Sequence, residues 1–504
     1  MGTPITNGRE KRWFEFFFTH VFFPLVFVLI VVSFYPAREK FEIGSDEGIN
    51  LMKAMLVQRG YSLYGDIWSD QPPLFTHLLS AVMRTFGNRI EVARFVMLLF
   101  SGLVLWAAFQ ITRLIWGFSS AVFVAVFIFL LPHFLPLSVA VMIGIPAIAM
   151  ALLSLLALIM WHRQRKSHWL VLSAAALGLS VLTKLFTGFL APIFVAGILV
   201  GEYVYLEGSF TWWKLLRPAF VWASIFTVFT IALGFLLVGP SNIAQLLEVH
   251  LRARQVEEYR DQVLVSINIH LRTSIPFFVA ALAGMLISVR SKRWLALYLA
   301  TWMFVAYGLL YFNRPAWEHH ALLITIPAAI LAGYPGVKAV NWVRDAIRAR
   351  GPLSVDKTLE LMALLSIFLV LFTFRSYDAT RSLTAKPVEE TADLAIGPNQ
   401  DRVLRRMARY APRTNWVVTD VPMYAFRTGL PVPPNLAVFS QKRVVSGLLT
   451  EGQVIDTVDE YQPEQVILGR FKFPALEGHL QDDYYLIYSD NEVKLYVRKD
   501  IYSG

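Results

Sequence analysis

Uninterrupted apolar runs limit what this chain can fold into more than any other feature. A run of about 18 or more apolar residues reads as a membrane span. Such runs follow one another along most of the sequence, near 16–36, 92–115, 118–137, 139–161, 169–184, 186–205, 218–238, 274–290, 294–312, 319–337 and 358–375. Composition agrees. The 504 residues are 56% hydrophobic and 16% charged, against about a quarter charged in an ordinary soluble domain. The expected fold is therefore a polytopic α-helical membrane protein of about eleven spans. The first run, from Phe16 to Tyr35, is too long for a signal-peptide core and has no small-residue cleavage site, so it reads as an uncleaved span.

A net charge of +10 raises the question of nucleic acid, and the placement of the basic residues argues against it. They fall in short clusters between apolar runs: Arg9, Lys11 and Arg12; Arg163, Arg165 and Lys166; Arg290, Lys292 and Arg293; and Lys338, Arg344, Arg348 and Arg350. Basic linkers mark the cytoplasmic side. The N-terminus is then cytoplasmic, and an odd number of spans puts the C-terminus outside. The expected location is the plasma (inner) membrane of a bacterium or archaeon, in contact with membrane lipids. Two outward loops, 37–91 and 239–273, are unusually long, which places the active surface on that side. The chain has no cysteine, so disulfides and thiolate metal sites are excluded.

From about Asp378 the sequence changes character. Short β-rich runs appear at 416–419, 465–468, 484–488 and 493–497, with Val454, Ile455, Val458 and Tyr461 at helical spacing between the first two. Strand, helix, strand and a final hairpin read as a small extracytoplasmic α/β domain. The expected division is 1–377 for the membrane domain and 378–504 for this tail, in which no catalytic motif is visible. A stabilising or acceptor-binding role suits it.

The first outward loop carries the chemistry. Asp46 and Glu47 follow the first span, and Ile49, Met52 and Leu56 then mark one face of a short helix. Asp46 stands where a helix cap would stand. The structural reading is a cap followed by a first-turn acid; the functional one is an acidic pair at the membrane face, one carboxylate serving as general base. Next come Asp66, Asp70 and Gln71 before Pro72-Pro73-Leu74, where the prolines hold the chain extended and start a helix. The apolar stretch from Leu74 to Phe86 is too short to span and is expected in the interface.

The acidic pair, then Gly60-Tyr61, Tyr64, Asp66, Pro72-Pro73-Leu74, Phe86-Gly87 and Ala93-Arg94, resembles the GT-C fold glycosyltransferases. More closely, it is similar to bacterial relatives of protein O-mannosyltransferases and of aminoarabinose transferases. Ordered motifs carry the likeness over residues 40–200, and architecture carries it beyond. The resemblance implies transfer of a sugar from a polyprenyl-phosphate donor to a hydroxyl of a lipid, glycan or protein acceptor in the cell envelope. Asp46 would be the base, and Glu47 would position the acceptor or share a cation. Phosphate leaves readily, so one base and a cationic clamp suffice, and direct displacement would invert the anomeric centre.

Lys184 is the first candidate for the clamp. A lysine inside an apolar run is costly and points to function, although snorkelling to the interface is the competing explanation. The family places a lysine followed by glycine at this turn, which implies phosphate contact. His250, Arg314 and His319, on outward segments, join Asp66, Asp70 and Gln71 as candidate substrate contacts. Two departures stand out: Gln71 replaces a lysine common in the family, and 141–146 lacks an acid found there in many members. No cofactor is assigned. A divalent cation stays open, for which Asp46, Glu47, Asp66 and Asp70 would have to supply the oxygens. The rival readings are a secondary transporter, which calls for midplane ionisable groups, and a catalytically inactive membrane scaffold.

Overall fold

The computed structural model describes residues 13, 16–34, 40–206, 211–253, 267–268, 271–312, 317–348 and 397–502. Among these residues five helices are long and apolar enough to cross a membrane: Ile90–Trp116, Gly144–Gln164, Leu185–Tyr205, Trp212–Val238 and Glu318–Asn341. Shorter apolar helices accompany them at Thr19–Ser33, Phe118–Phe129, Ser167–Thr183, Ile275–Arg290 and Ala296–Phe312. Each expected span from 16–36 to 319–337 falls on one of these, and the last, 358–375, lies outside the described residues. The chain is a multi-pass membrane protein.

One helix falls well short of its apolar run. Phe118–Phe129 stops before Pro132, His133 takes a left-handed conformation (φ 63°), and a single turn follows at Phe134–Leu137. Proline cannot continue the backbone ladder, so the run to 137 is broken and the next helix starts at Gly144.

Lipid tails give apolar side chains no reason to leave them, so close packing and interhelical hydrogen bonds hold such a bundle. The helix Glu318–Asn341 is almost wholly buried at its centre. Helix Ile275–Arg290 crosses it at Gly284, where an added Cβ would meet the Leu331 carbonyl oxygen at 2.1 Å. Trp222 Nε1 donates to Ser173 Oγ at 3.0 Å, and Ser154 Oγ donates to the Ser173 carbonyl at 2.7 Å. Around the rim, Phe220, Val228 and Leu236 point outward, as suits side chains facing lipid.

The C-terminal α/β domain has a four-stranded sheet, β1 (Val417–Thr419), β2 (Gln465–Leu468), β3 (Tyr484–Ser489) and β4 (Lys494–Arg498), in the order β1-β2-β4-β3. β1 and β2 are parallel, with Val418 opposite Val466, and β3 and β4 form an antiparallel hairpin. The crossover between β1 and β2 contains the helix Glu451–Tyr461. A capping box starts that helix: Gln453 N–H donates to Thr450 Oγ1 at 3.3 Å and Thr450 N–H donates to Gln453 Oε1 at 2.9 Å. Val418, Val454, Val458 and Leu476 fill the core between sheet and helices. The expected elements are all present; the expected boundary at 377/378 lies outside the described residues.

The tail rests on the first loop of the membrane domain. Its helix Pro422–Arg427 packs on the helix Asp46–Gln58. Arg427 donates from Nε to the Phe41 carbonyl at 3.1 Å and from Nη2 to the Lys40 carbonyl at 2.8 Å. Contact is closest at Gly48, where an added Cβ would sit 2.7 Å from the Met423 backbone nitrogen. Backbone cannot swing aside as a side-chain tip can. Gly48→Ala is therefore expected to cost about 1–3 kcal/mol by overpacking, seen as a lower melting temperature and faster proteolytic release of the tail. An unchanged protein would mean that the two helices separate without strain.

Candidate active site

The chain enters the helix Asp46–Gln58 through Gly44 (φ 77°), whose carbonyl accepts from Glu47 N–H at 3.1 Å. Ser45 precedes the helix and makes no side-chain cap bond. Asp46 is therefore the first helical residue and not the cap that its sequence position suggested. The helix dipole there favours its anionic form. Every residue from Glu47 to Leu56 is buried. The expected apolar face of Ile49, Met52 and Leu56 is inside, but so is the opposite face, because the tail covers it.

Glu47 is fully engaged. Arg94, from the helix Ile90–Trp116, donates to it twice, Nε to Oε1 at 2.9 Å and Nη2 to Oε2 at 2.7 Å. Ile43 N–H donates to Oε2 at 2.7 Å and Val141 N–H to Oε1 at 3.2 Å. Asn50 Nδ2 donates to the Val141 carbonyl at 3.0 Å. One buried carboxylate thus ties the loop start, the helix Ile90–Trp116 and the 139–143 segment to the site helix. Such bidentate, charge-assisted bonding fixes geometry.

Asp46 is half-buried at the edge of this assembly. Burial raises its carboxyl above the ordinary range, and the nearby Asp70 carboxylate raises it further; Lys442, Arg470 and Lys53 oppose both. Lys53 is fully buried and donates from Nζ to Gln71 Oε1 at 2.9 Å. Burial lowers its ammonium to about 8, against the pull of Asp70 and Asp46. Gln71 is fixed in turn by its backbone, since the Tyr64 hydroxyl donates to its carbonyl at 2.6 Å. Asp70 faces Lys442 of the tail at 3.7 Å. Arg470, also from the tail, reaches Glu42 Oε2 at 3.3 Å and donates to the Ser45 carbonyl at 3.1 Å. Its loop is shaped by buried Asp420, which accepts from the N–H groups of Gly469, Arg470 and Phe471 at 2.7–2.8 Å.

Lys184 is buried where the helix Ser167–Thr183 gives way to the turn Leu185–Phe189, and its charge interacts with Asp46 and Lys442. The structure therefore brings Asp46, Asp70, Gln71 and Lys184 together, with Glu47 one residue away. Asp66 stands apart. Its exposed carboxylate accepts from Ser62 N–H and Oγ at 2.7 Å each, bonds that hold it below the usual range and close a local turn. His319 lies in the turn Glu318–Ala321 beside His320, whose ring stacks on Phe186 at 6.0 Å, near Lys184. The His250 side chain and all of Arg314 lie outside the described residues.

Three participants escaped the sequence reading: Lys53, Lys442 and Arg470. Lys53 was within reach of it, since seven residues is two helical turns from Asp46 and puts both on one face. The other two are about four hundred residues away along the chain, and no local pattern marks them. Among the described residues no three His, Asp or Glu side chains gather around a metal position. Glu47 is committed to Arg94 and Asp66 to Ser62, whereas a hard cation takes about six or more oxygens. Among the described residues the donor set does not fit a resident divalent cation.

Residues 70–239 match the family model described as dolichyl-phosphate-mannose-protein mannosyltransferase. No curated protein matches the chain. Among solved structures, ArnT from Cupriavidus metallidurans superposes over 96% of this chain and 98% of its own, with a TM-score of 0.64 at 15% identity in the apo state. Its complex with undecaprenyl phosphate gives a TM-score of 0.61. The chain has the GT-C fold. The archaeal oligosaccharyltransferase AglB from Archaeoglobus fulgidus, in complex with an inhibitory peptide and a dolichol-phosphate, is similar over 91% of this chain and 70% of its own, with a TM-score of 0.56 at 14% identity. Identities this low establish a shared GT-C architecture and leave the chemistry to the site.

Proposed function

We propose that this GT-C chain is a membrane glycosyltransferase that moves a sugar from a polyprenyl-phosphate donor to an acceptor hydroxyl on the extracytoplasmic side. The observation that carries the reading is Asp46. It is a carboxylate at a helix start, half-open and raised by burial, with lysines from three segments around it. In the reaction the acceptor oxygen bonds to the anomeric carbon as the bond to the phosphate oxygen breaks. The acceptor proton passes to Asp46, and Lys184 stabilises the departing phosphate. A single displacement inverts the anomeric centre. Glu47, with both oxygens occupied, acts as a positioning residue that fixes Asp46 from the next position. Asp70 and Gln71 line the donor side.

Further support comes from an apolar groove of about 540 Å³ lined by Ile275, Phe278, Leu282, Met303 and Phe304, with Arg272 among its polar neighbours. Its chemistry suits an isoprenoid chain. The names of two structural neighbours record undecaprenyl phosphate and dolichol-phosphate as their ligands. The basic linkers at 163–166 and 290–293 support a cytoplasmic N-terminus and an outward site. Purified protein incubated with a panel of polyprenyl-phosphate sugars and extracted acceptors should consume one donor and give a product of inverted configuration. Consumption of none would end the proposal, and retention would end the single-displacement mechanism.

A pH profile follows from two of the shifted groups, Asp46 and Lys53. Asp46 must be ionised, so the rate rises with pH through a value above the ordinary carboxylate range. Lys53 must be protonated to sustain that anion, so the rate falls as pH passes about 8. Lys53→Arg, which stays charged, is expected to carry the alkaline limb upward. A limb that stays put would assign it to another group.

A further inference from the structure

Trp68 stands two residues before Asp70, half-buried, and joins none of the hydrophobic clusters of the described residues. Its place is fixed all the same. Behind the ring lies Arg443 of the tail, whose Cζ is 4.4 Å from the ring centroid. That guanidinium is 7% exposed and tied down, since Nη1 donates to the Asn435 carbonyl at 2.7 Å and to the Val438 carbonyl at 3.2 Å. The backbone on either side is pinned as well. Tyr64 N–H donates to the Ile67 carbonyl at 2.8 Å, and Ser69 N–H donates at 3.2 Å to Gln245 Oε1, from the helix Ile243–Ala253. That helix in turn packs on the tail helix Gln441–Val445, which carries Lys442 and Arg443. Segments remote in sequence thus hold one indole in place, and a ring already held loses little freedom on binding a ligand.

The other side of the ring is uncommitted. Among the described residues no second ring or cation stacks on Trp68, and its indole N–H has no partner and is not enclosed. Buried indole N–H groups ordinarily find an acceptor, as those of Trp106, Trp116, Trp222 and Trp302 do here. The border of the ring is polar: two residues along, Asp70 Oδ2 lies 3.7 Å from Lys442 Nζ. An aromatic face bordered by a donor N–H, a carboxylate and an ammonium matches a sugar ring, which has a C–H face and a hydroxyl edge. An isoprenoid chain would gain nothing from that border and would strip it of water. We propose that Trp68 is the stacking platform for the sugar of the lipid-phosphate donor, with Arg443 as the positioning residue behind it. The C–H face of the sugar lies on the ring, and its hydroxyls take up the indole N–H and the polar groups beside it. The platform rests on the transferase reading and deepens it, because the sugar is then recognised apart from the phosphate. Through Arg443 the tail takes part in the choice of donor.

The test is titration calorimetry on the full-length protein in detergent with two ligands: bare polyprenyl phosphate, and the polyprenyl-phosphate sugar consumed in the donor panel. Trp68→Leu should weaken the sugar-bearing lipid by about tenfold, the upper reach of an aromatic stacking contact. Bare polyprenyl phosphate should stay within about threefold of wild type, so the ratio of the two affinities collapses. A merely structural role would weaken both alike. Trp68→Phe keeps a ring and should hold the ratio within about threefold. Arg443→Met should lower the ratio and Arg443→Lys should recover it, because a cation again backs the ring. A second readout needs no disruptive variant: the extra change in tryptophan fluorescence that the sugar-bearing lipid causes over the bare one should vanish in Trp68→Phe while binding persists. An unchanged ratio in Trp68→Leu, or an extra fluorescence change that survives in Trp68→Phe, would overturn the platform and leave the transferase reading standing. A raised KM for the acceptor with donor affinity intact would put the ring on the acceptor side and overturn it equally. A wild-type protein that consumes no donor would bring down both.

Discussion

Asp46→Asn is expected to reduce turnover by about 10²–10⁴-fold, the range a positioned general base supplies, while polyprenyl-phosphate binding and melting temperature stay near wild type. Asparagine keeps the size and polarity of the side chain at the first helical position and removes the basic carboxylate together with its charge. The two halves of the expectation separate chemistry from structure. On the proposed mechanism the lysines around the site hold the phosphate, and Glu47 with the tail contacts fastens the site helix; all of these side chains are kept in the variant. Full turnover in the Asn variant would mean that another group takes the acceptor proton, with Asp70 the first to examine.

Arg94→Met is expected to destabilise the protein by about 3–5 kcal/mol, because it strands a carboxylate in the interior. Glu47 and Arg94 are 0% and 4% exposed, and their bond is bidentate. Removing the arginine leaves Glu47 with two backbone N–H donors, from Ile43 and Val141, to balance a full charge. The double variant Arg94→Met with Glu47→Gln should recover part of the loss, since the charge is gone and the amide oxygen still accepts a backbone bond. Thermal unfolding in detergent reads both. A single variant that melts as wild type would show that water reaches Glu47 and that the ion pair does not fasten the site helix.

Local patterns in the sequence foretold the parts that local physics decides. Apolar run length located the helices of the bundle, and it overshot after Phe129 because Pro132 breaks the backbone ladder within an apolar stretch. Alternation and turn residues located the four strands of the tail. Asp46 and Glu47 were visible as a pair, but which acid is open and which is consumed depends on Arg94, whose approach is a matter of packing. Asp66 looked equivalent to Asp70 until the fold showed it closing its own turn with Ser62. Lys442 and Arg470 had no signature at all, since a solvated surface helix and a loop in an α/β domain are places where basic residues are ordinary. Gln71 read as a loss of charge, yet Lys53 delivers an ammonium to it from the neighbouring helix.

Three consecutive residues answer to three different parts of the molecule. Asp46 is half-open beside charged groups of the tail, Glu47 is riveted to the bundle through Arg94, and Gly48 is pressed against the backbone of Met423. On the transferase reading the C-terminal domain is thus part of the site's wall, and a chain without it is expected to lose turnover. A protein cut short before 397 would lose Lys442 and Arg470 and uncover the flank of the helix that bears Asp46. Grafting a foreign tail onto this bundle would meet the same obstacle, because the replacement must match a surface at which one methyl group is already too many.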